Sequence, residues 1–375
     1  MTSVAPVADR HGFADFLRVP HRVHRGDPNW VPPLTLERKL HYSPRNPYFQ
    51  HAQARYFVAY RGREPVGRIS AQIDRLAQPG DEPKLGHFGC LEAADSDTMG
   101  DLLHAAEGWL ADRGIAEVQG PFSLSINDEV GLLVDGFDRP PRMLMNYAPP
   151  WYGEALESQG YAKAKDLLAY RVDSSVPLPG SARRLAEHAA DTEGIVERPM
   201  DPSRFRAELR TVVDIFNDAW ADNWGFVPMT AAEAGQLADN LKPLMRPELI
   251  RFVERDGEPV AMVVGLPDLH EAIADLNGRL LPFGWARLAY RLKANKVRGG
   301  RILLMGVRKA HRIGFLGSAI AALLVTRLHG AAHGYGLSEL ELSWVLEDNT
   351  PTNRLIESLG GELDKRYRVY RKVLT

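Results

Sequence analysis

The alternation of apolar and polar positions is clearest between residues 337 and 346, where it has the period of two that a β-strand requires. Alternate positions give one face with Leu340, Leu342, Trp344 and Leu346 and a second face with Glu339, Glu341, Ser343 and Val345. Residues 315–329 carry apolar side chains three and four positions apart, which is the spacing of a helix with one buried side. A short apolar run at 301–307 precedes this helix. The pattern therefore predicts a strand, a helix and a second strand in succession.

The same patterns predict the other elements of both halves of the chain. In the second half they are helices at 202–220 and 230–245, a hairpin at 249–264, and a helix that begins at Thr350-Pro351 and ends at Gly360. The first half repeats this order with a hairpin at 56–73, a strand at 84–92, a helix at 98–113 and a strand at 115–120. The two halves are therefore predicted to share one fold.

Similar strings support a duplication. "FVAYRGREPVG" from Phe57 resembles "FVERDGEPVA" from Phe252, and "NYAPPWYGEALESQGY" from Asn146 resembles "NTPTNRLIESLGG" from Asn349. The strings occur in the same order in each half, which is typical of a repeated unit. A polar segment with Pro and Gly at 173–184 is interpreted as a linker. We therefore predict two α/β domains, at 1–175 and 176–375, each with a mixed, mostly antiparallel sheet flanked by helices.

Composition narrows the function classes. The chain has 375 residues and a formal net charge of −2, which argues against general nucleic-acid binding. The single cysteine, Cys90, excludes a disulfide framework. No uninterrupted apolar run reaches the roughly 18 residues of a membrane span, and the N-terminus lacks a signal-peptide pattern, so we expect a cytoplasmic protein. We predict no metal site, because the early histidines lack ligand spacing: His21, His24, His41 and His51.

The stretch "HRIGFLGSA" joins the predicted strand at 301–307 to the following helix. A turn with small residues before a helix presents free backbone N–H groups and the positive end of the helix dipole, an arrangement that favours a phosphate. Arg312 adds a positive charge. A plain structural turn is the alternative. A Rossmann or P-loop nucleotide site is not indicated, since the glycine spacing and the P-loop lysine are missing.

The order of elements resembles that of the GNAT acyltransferase superfamily. In that family, a turn reading roughly Arg-Gly-x-Gly-x-Gly/Ala binds the pyrophosphate of coenzyme A, and here Arg312 and Gly317 match it, with one glycine displaced to Gly314. The resemblance implies acyl-CoA as co-substrate. The implied binding residues are Met305, Gly306, Val307, Arg312, Ile313, Gly314, Phe315, Leu316, Gly317, Ser318 and Asn349. The first half has the acidic "EAADSDTMGDLL" in place of this turn and is expected to bind no coenzyme A.

More narrowly, the chain resembles tandem GNAT proteins of bacteria, a group that includes ceramide synthases. Stretches in both halves carry this likeness, among them "GPFSLSINDEVGLLVDGFDRPPRMLMNY" and "FNDAWADNWGFVPMT". The group's reaction, transfer of a fatty acyl group from acyl-CoA to the amine of a sphingoid base, is the implied activity. Transfer to a small amine or peptide, and acyl-CoA binding without catalysis, are the alternatives.

Acyl transfer to an amine needs a proton acceptor and a group to accommodate the thiolate. The tyrosine that often protonates the thiolate in the GNAT family is Ile356 here, and the strand 301–307 carries no acid. Glu129 is our candidate base, with Glu347 as second candidate. A turn or capping role is the alternative for both. Asn349 is either a turn former or a contact to coenzyme A and is grouped with them.

Two further segments suggest a lipid acceptor. The candidate acceptor-binding residues are Asn127, Trp220, Trp224, Phe226 and Trp344, with core packing as the alternative for the aromatic ones. Residues 278–301 carry seven basic residues and no acid, with Trp285 and Tyr290 between them. This composition is typical of a helix that contacts an anionic membrane surface, although a solvated helix face has the same pattern. We therefore predict a peripheral contact with the inner face of the membrane.

Overall fold

The computed structural model describes residues 2–78, 80 and 84–374. The chain forms two compact units that are not contiguous in sequence. Unit 1 comprises 1–167, 273–282 and 365–375, and unit 2 comprises 168–272 and 283–364. The first unit therefore contains the C-terminal end of the chain.

Unit 1 is a mixed sheet with helices. Its strand order is β1-β2-β3-β4-β5-β13, and β6 also pairs with β13. The strands are β1 (Ser3–Pro6), β2 (Ala52–Arg61), β3 (Glu64–Asp74), β4 (Leu85–Ala93), β5 (Glu117–Gly120), β6 (Leu132–Asp135), the first half of β7 (Ala162–Asp173) and β13 (Glu362–Val373) from Lys365. The helices are α1 (Arg10–Val23), α2 (Thr35–His41), α3 (Ser96–Ala111) and α4 (Tyr152–Ser158). Only the β4–β5 pair among β1–β5 is parallel.

Unit 2 repeats this arrangement with the strand order β7-β12-β11-β10-β9-β8. Its further strands are β8 (Ile195–Pro199), β9 (Ile250–Arg255), β10 (Glu258–Pro267), β11 (Gly299–Val307) and β12 (Glu339–Leu346). Its helices are α5 (Gly180–Ala190), α6 (Phe205–Trp220), α7 (Ala231–Leu241), α8 (Leu269–Ile273), α9 (Gly284–Lys293), α10 (Gly314–Tyr335) and α11 (Thr350–Ser358). The β11–β12 pair is parallel, as β4–β5 is in unit 1. The predicted α/β class with mixed sheets and flanking helices is confirmed.

Helix α10 is the central helix of unit 2. It extends six residues beyond the predicted end at 329 and stops at Gly336, whose φ of 98° is the left-handed conformation that suits glycine. Ile320, Leu323 and Leu324 are buried in the core. By length and composition alone, α10 could cross a membrane. The search for uninterrupted apolar residues did not predict this. Half of the most apolar 18-residue stretch of α10 is buried inside the protein. Its place in the core explains its composition.

The predicted linker at 173–184 is partly helical. Helix α5 begins at Gly180, and its small residues Ala182, Ala186 and Ala189 are buried. The Pro and Gly residues that suggested a linker occupy only the turn before this helix. The helix was not predicted because three alanines on one face of a short polar helix give a weak apolar signal.

Strands β11 and β12 separate partway along their length. Their last paired residues are Ile302 and Leu342, although β11 continues to Val307 and β12 to Leu346. The same point of β11 carries an irregularity, since Val264 lies opposite Leu304 while Gly265 lies opposite Ile302. Leu303 is therefore an extra residue on β11, a β-bulge, which bends a strand and redirects its side chains.

Strands β4 and β5 of unit 1 also separate, but the chain itself fills the gap. Their last pair is His87 and Gln119, and beyond it the backbone N–H of Phe122 donates to the carbonyl of Phe88 at 2.8 Å. The Gln72 amide donates to the Phe122 carbonyl at 2.6 Å and to that of Leu124 at 3.2 Å. Segment 121–124, buried throughout, therefore lies where a ligand between the two strands would have to lie.

Candidate active site

The residues on both sides of the gap between β11 and β12 are mostly apolar. From Leu303 onward the strand changes from buried to half-buried, and Leu304 and Met305 share this partial exposure. On the other side, Trp344 and Val345 of β12 are half-buried as well. We call this gap the unit 2 cleft. In the antiparallel pairing with β10, only alternate residues of β11 direct their backbone N–H and C=O groups toward β10. The remaining residues of 303–307 direct these groups toward the side from which β12 has separated.

The chain leads from this cleft directly to the N-terminus of α10. Ile313 is the N-cap residue, is 86 % exposed and makes no side-chain capping bond. The first turn contains no acidic residue. Its backbone N–H groups, which have no carbonyl partner within a helix, are therefore available to an anion. This local geometry fits the pyrophosphate of an acyl-CoA.

The two glycines of the turn have different roles. Gly314 has a φ of 86°, in the left-handed region that other residues rarely adopt. A Cβ on Gly317 would lie 2.4 Å from the carbonyl oxygen of Arg312, so this glycine lets the turn pack against the helix. A substitution at Gly317 would therefore disturb the backbone itself and would be a poor probe of anion binding.

Basic side chains beside this turn are held by Asp222. Lys309 Nζ lies 2.6 Å and Arg312 Nη2 lies 3.1 Å from its carboxylate oxygens. The hydrogen bond from Lys309, with the charges of Lys309 and Arg312, lowers the pKa of Asp222 below its usual value. The backbone N–H of Lys309 donates to Asp218 at 2.7 Å. Two cations are thus kept close to the start of α10.

The corresponding helix of unit 1 has a different N-terminus. Asp95 is the N-cap of α3 and accepts a 2.9 Å hydrogen bond from the backbone N–H of Thr98. Burial works against ionisation of Asp95, but hydrogen bonds from Arg61 and Thr98 outweigh it and lower the pKa to about 2. A carboxylate therefore occupies the end of α3, and this end would repel a phosphate.

Aromatic side chains lie beside strand β11. Trp220, at the end of α6, packs on Gly306 so closely that a Cβ there would lie 2.4 Å from its ring. Phe216 contacts the rings of Trp220 and Phe226 at centroid distances of 5.0 and 5.9 Å. The predicted acceptor residues Trp220, Trp224, Phe226 and Trp344 are all half-buried. Trp220 and Phe226 thus form one aromatic group with the buried Phe216.

The residues that follow β12 are mostly engaged in the turn into α11. Asn349 is the N-cap of α11, and its side-chain oxygen accepts from the Thr352 N–H at 3.3 Å. Asn353 donates to the carbonyls of Leu346 and Glu347 at 3.1 and 3.3 Å. Ile356, which replaces the family tyrosine, is buried. A contact of Asn349 with coenzyme A and a catalytic role of Glu347 stay predictions.

Glu129 lies in unit 1, in a salt bridge. Its Oε1 is 2.5 Å from Nη2 of Arg38, and both side chains are largely buried. Burial disfavours the charge on Arg38, but the carboxylates of Glu129 and Glu37 outweigh this and raise its pKa well above the usual value. Asn127 is half-buried two residues away. Glu129 is therefore held in a fixed position by a cation, and its role as base stays a prediction.

A buried polar cluster at the closed end of the unit 2 cleft was not predicted. It consists of Arg301, Glu341 and Ser343, whose exposed fractions are 3 %, 3 % and 6 %. The alternation along 337–346 placed Glu341 and Ser343 on a face of their own, but it did not show that this face is covered. An arginine within the apolar run 301–307 was the available signal, because an arginine in a buried strand needs a partner.

Comparison with known proteins agrees with this architecture. No family model matches the chain. It is 46 % identical over 375 residues to "Bacterial ceramide synthase" of Caulobacter vibrioides, covering 99 % of this chain and 97 % of the relative. It is also 41 % identical over 366 residues to protein YghO of Escherichia coli, covering 97 % and 93 %. A solved tandem GNAT protein of the clavulanic acid biosynthesis pathway matches with a TM-score of 0.56 at 11 % identity, over 100 % of this chain and 99 % of that one.

The relatives settle the class that the sequence predicted. Identity of this size over the full length shows common descent, and the solved structure shows the same tandem fold. The chain belongs to the family that contains bacterial ceramide synthase. Its fold is that of the tandem GNAT proteins.

Proposed function

We propose that the protein transfers an acyl group from acyl-CoA to the amine of a long-chain, sphingoid-type lipid. The observation that carries the donor half of the proposal is the unit 2 cleft, which is apolar and leads to an uncapped helix N-terminus. The name of the Caulobacter relative supports the lipid acceptor. Unit 1 contributes no donor site in this proposal, because its gap is filled and its helix is capped by Asp95.

The proposed binding mode assigns a role to each part of the cleft. Backbone N–H groups at the start of α10, from Ile313 to Ser318, hold the pyrophosphate. Unpaired backbone groups of β11 hold the pantetheine arm, and an N–H among residues 305–307 polarises the thioester carbonyl. Trp220 and Phe226 border the acyl group or the lipid acceptor with apolar surface. Glu129 is proposed as the proton acceptor, with Glu347 as second candidate.

Release of free thiol from a long-chain acyl-CoA tests this function. We expect turnover with a sphingoid base as acceptor, little with lysine or polyamines, and none without an amine. Preference for a small amine or a peptide would keep the acyl transfer and reject the lipid acceptor. Tight acyl-CoA binding without thiol release for any acceptor would identify a binding protein and reject the enzyme.

A lipid acceptor resides in a membrane, and unit 2 carries a surface suited to one. Phe283, Trp285 and Tyr290 are 78 %, 58 % and 62 % exposed. Helix α9 lies among these residues and contains Arg287, Arg291 and Lys293 but no acidic residue. Exposed aromatic side chains with basic ones on a short helix are typical of an element that rests on an anionic lipid surface. We propose that α9 brings the enzyme to its acceptor at this surface.

Vesicle flotation of the full-length protein tests the membrane contact. We expect binding to phosphatidylcholine vesicles that contain phosphatidylglycerol, weaker binding without it, and loss of roughly tenfold in partitioning for Phe283→Ser with Trp285→Ser. Val176→Ser with Val196→Ser is the matched control, since these valines are also more than half exposed in unit 2. Equal flotation of both double variants would reject α9 as the contact.

A further inference from the structure

The buried cluster of Arg301, Glu341 and Ser343 lies where β11 and β12 separate. Arg301 is paired with Glu341 in the strand register, and the next pair, Ile302 with Leu342, is the last. Ser343 is therefore the first residue of β12 beyond the paired segment. The cluster, the end of the pairing and the bulge at Leu303 fall within three residues of each strand.

Hydrogen bonds tie this cluster together across the two strands. Arg301 Nε donates to the Ser343 hydroxyl at 2.9 Å, and Arg301 Nη2 donates to the Ser343 backbone carbonyl at 3.2 Å. The Ser343 hydroxyl in turn donates to Glu341 Oε1 at 2.5 Å. Arg301 thus binds a backbone oxygen of β12 at the point where pairing with β11 has ended.

A buried ion pair is an expensive way to stabilise a sheet. Removing two charges from water costs several kcal/mol per ion, and apolar side chains of similar volume often serve the stability of the fold as well or better. Its presence is better explained by a specific arrangement that apolar side chains would not enforce. Parallel strands with apolar faces, such as Leu303–Met305 and Trp344–Val345, would otherwise gain by continuing to pair.

Unit 1 shows the alternative solution at the same place in the fold. There the strands also separate, but the Phe122 N–H of segment 121–124 donates to the Phe88 carbonyl of β4, and the Gln72 amide donates to the segment's own carbonyls at Phe122 and Leu124. Unit 2 has Arg301 and its partners at the separation. One fold therefore has a filled gap in one unit and a gap held by side chains in the other.

We infer that Arg301, Glu341 and Ser343 hold β11 and β12 apart and so keep the unit 2 cleft open for its ligand. The Arg301 guanidinium and the Ser343 hydroxyl lie where the pairing of β11 with β12 ends. Their hydrogen bonds fix the direction in which β12 diverges from β11. These are positioning residues, since they act through the two strands. The inference rests on the proposed donor site for its functional meaning, whereas the separation of the strands can be measured without any ligand.

The double variant Arg301→Met with Glu341→Leu tests this inference. It removes both charges at similar volume, so we expect the protein to fold with a Tm close to that of the wild type. Strand pairing should then extend, and hydrogen exchange of the amides in 303–307 and 343–346 should slow by roughly tenfold or more. The KM for acyl-CoA and the Kd for coenzyme A should rise by roughly tenfold, with a smaller effect on kcat.

A second ion pair in the same sheet, which is only partly buried, supplies the control. Arg251 of β9 and Glu197 of β8 also join neighbouring strands, but away from the cleft. Arg251→Met with Glu197→Leu should leave both the exchange at 303–307 and the Kd unchanged. Ser343→Ala, which deletes one hydroxyl, should shift exchange and Kd in the same direction as the double variant, by a smaller factor, and tests the inference even if the double variant does not fold.

The outcomes separate the inference from the proposed function. Unchanged exchange and unchanged coenzyme A affinity in a folded Arg301/Glu341 variant or in Ser343→Ala would overturn the inference while leaving the donor site intact. A wild-type protein that binds no coenzyme A would overturn the donor site, and slowed exchange in the variants would still support the role of the cluster in separating the strands.

Discussion

Ile313→Asp is expected to weaken coenzyme A binding by roughly ten- to a hundredfold, or about 1.4–2.7 kcal/mol. Ile313 is the exposed N-cap residue of α10, and an aspartate there reproduces the arrangement of Asp95 at α3. Its carboxylate would take the backbone N–H groups and oppose the phosphates by charge. The helix itself should gain from the cap, so the Tm should stay equal or rise. Calorimetric titration with coenzyme A, together with thermal unfolding, measures both quantities.

Two neutral substitutions at the same position separate the causes. Ile313→Ala adds neither a cap nor a charge and should bind nearly as the wild type does. Ile313→Asn caps the helix without a charge and should lie between alanine and aspartate. An aspartate variant that is folded and binds coenzyme A with wild-type affinity would rule out the start of α10 as the pyrophosphate site.

Glu129→Gln is expected to lower kcat by roughly 10²- to 10⁴-fold while acyl-CoA affinity stays nearly unchanged, if Glu129 is the base. The substitution keeps the size of the side chain and removes its ability to accept a proton. It also leaves Arg38 with a weaker partner, so stability should fall, by at most about 3–5 kcal/mol. Kinetics must therefore be measured below the Tm of the variant. In the pH profile of kcat/KM, the limb that reports ionisation of the base should disappear.

Glu37→Gln is the matched control for the loss of charge. Glu37 also contacts Arg38, at 2.9 Å from Nε, but its side chain is more exposed than that of Glu129. This control should weaken the same arginine's ion pairing and leave kcat within a few-fold of the wild type. If Glu129→Gln, folded, retained its kcat, Glu129 would be a structural partner of Arg38, and Glu347→Gln would be the next variant to measure.

The sequence predicted the helices and strands better than it predicted what packs against them. Helix α10 and strand β12 were found from periodicity, and the repeated order of elements was visible because each half keeps the same patterns. The covered face of Glu341 and Ser343 was not, because alternation separates two faces without saying what packs on them. The filled gap of unit 1 was also missed, since no local pattern shows that 121–124 lies beside β4. The capping role of Asp95 was missed, although the acidic character of that turn was recognised.

The position of strand β13 in unit 1 has a consequence for folding during synthesis. Residues 366–368 pair with β6 and residues 370–373 pair with β5 of unit 1, and Lys365, Tyr367 and Tyr370 are fully buried. During synthesis, the ribosome completes nearly all of unit 2 before it makes this strand. The strands of unit 1 therefore keep unpaired edges until residues 365–373 have emerged, and such edges can pair with other chains. A chain that stops before residue 365 would lack this strand, and unit 1, although it is made first, would be left with unpaired strands.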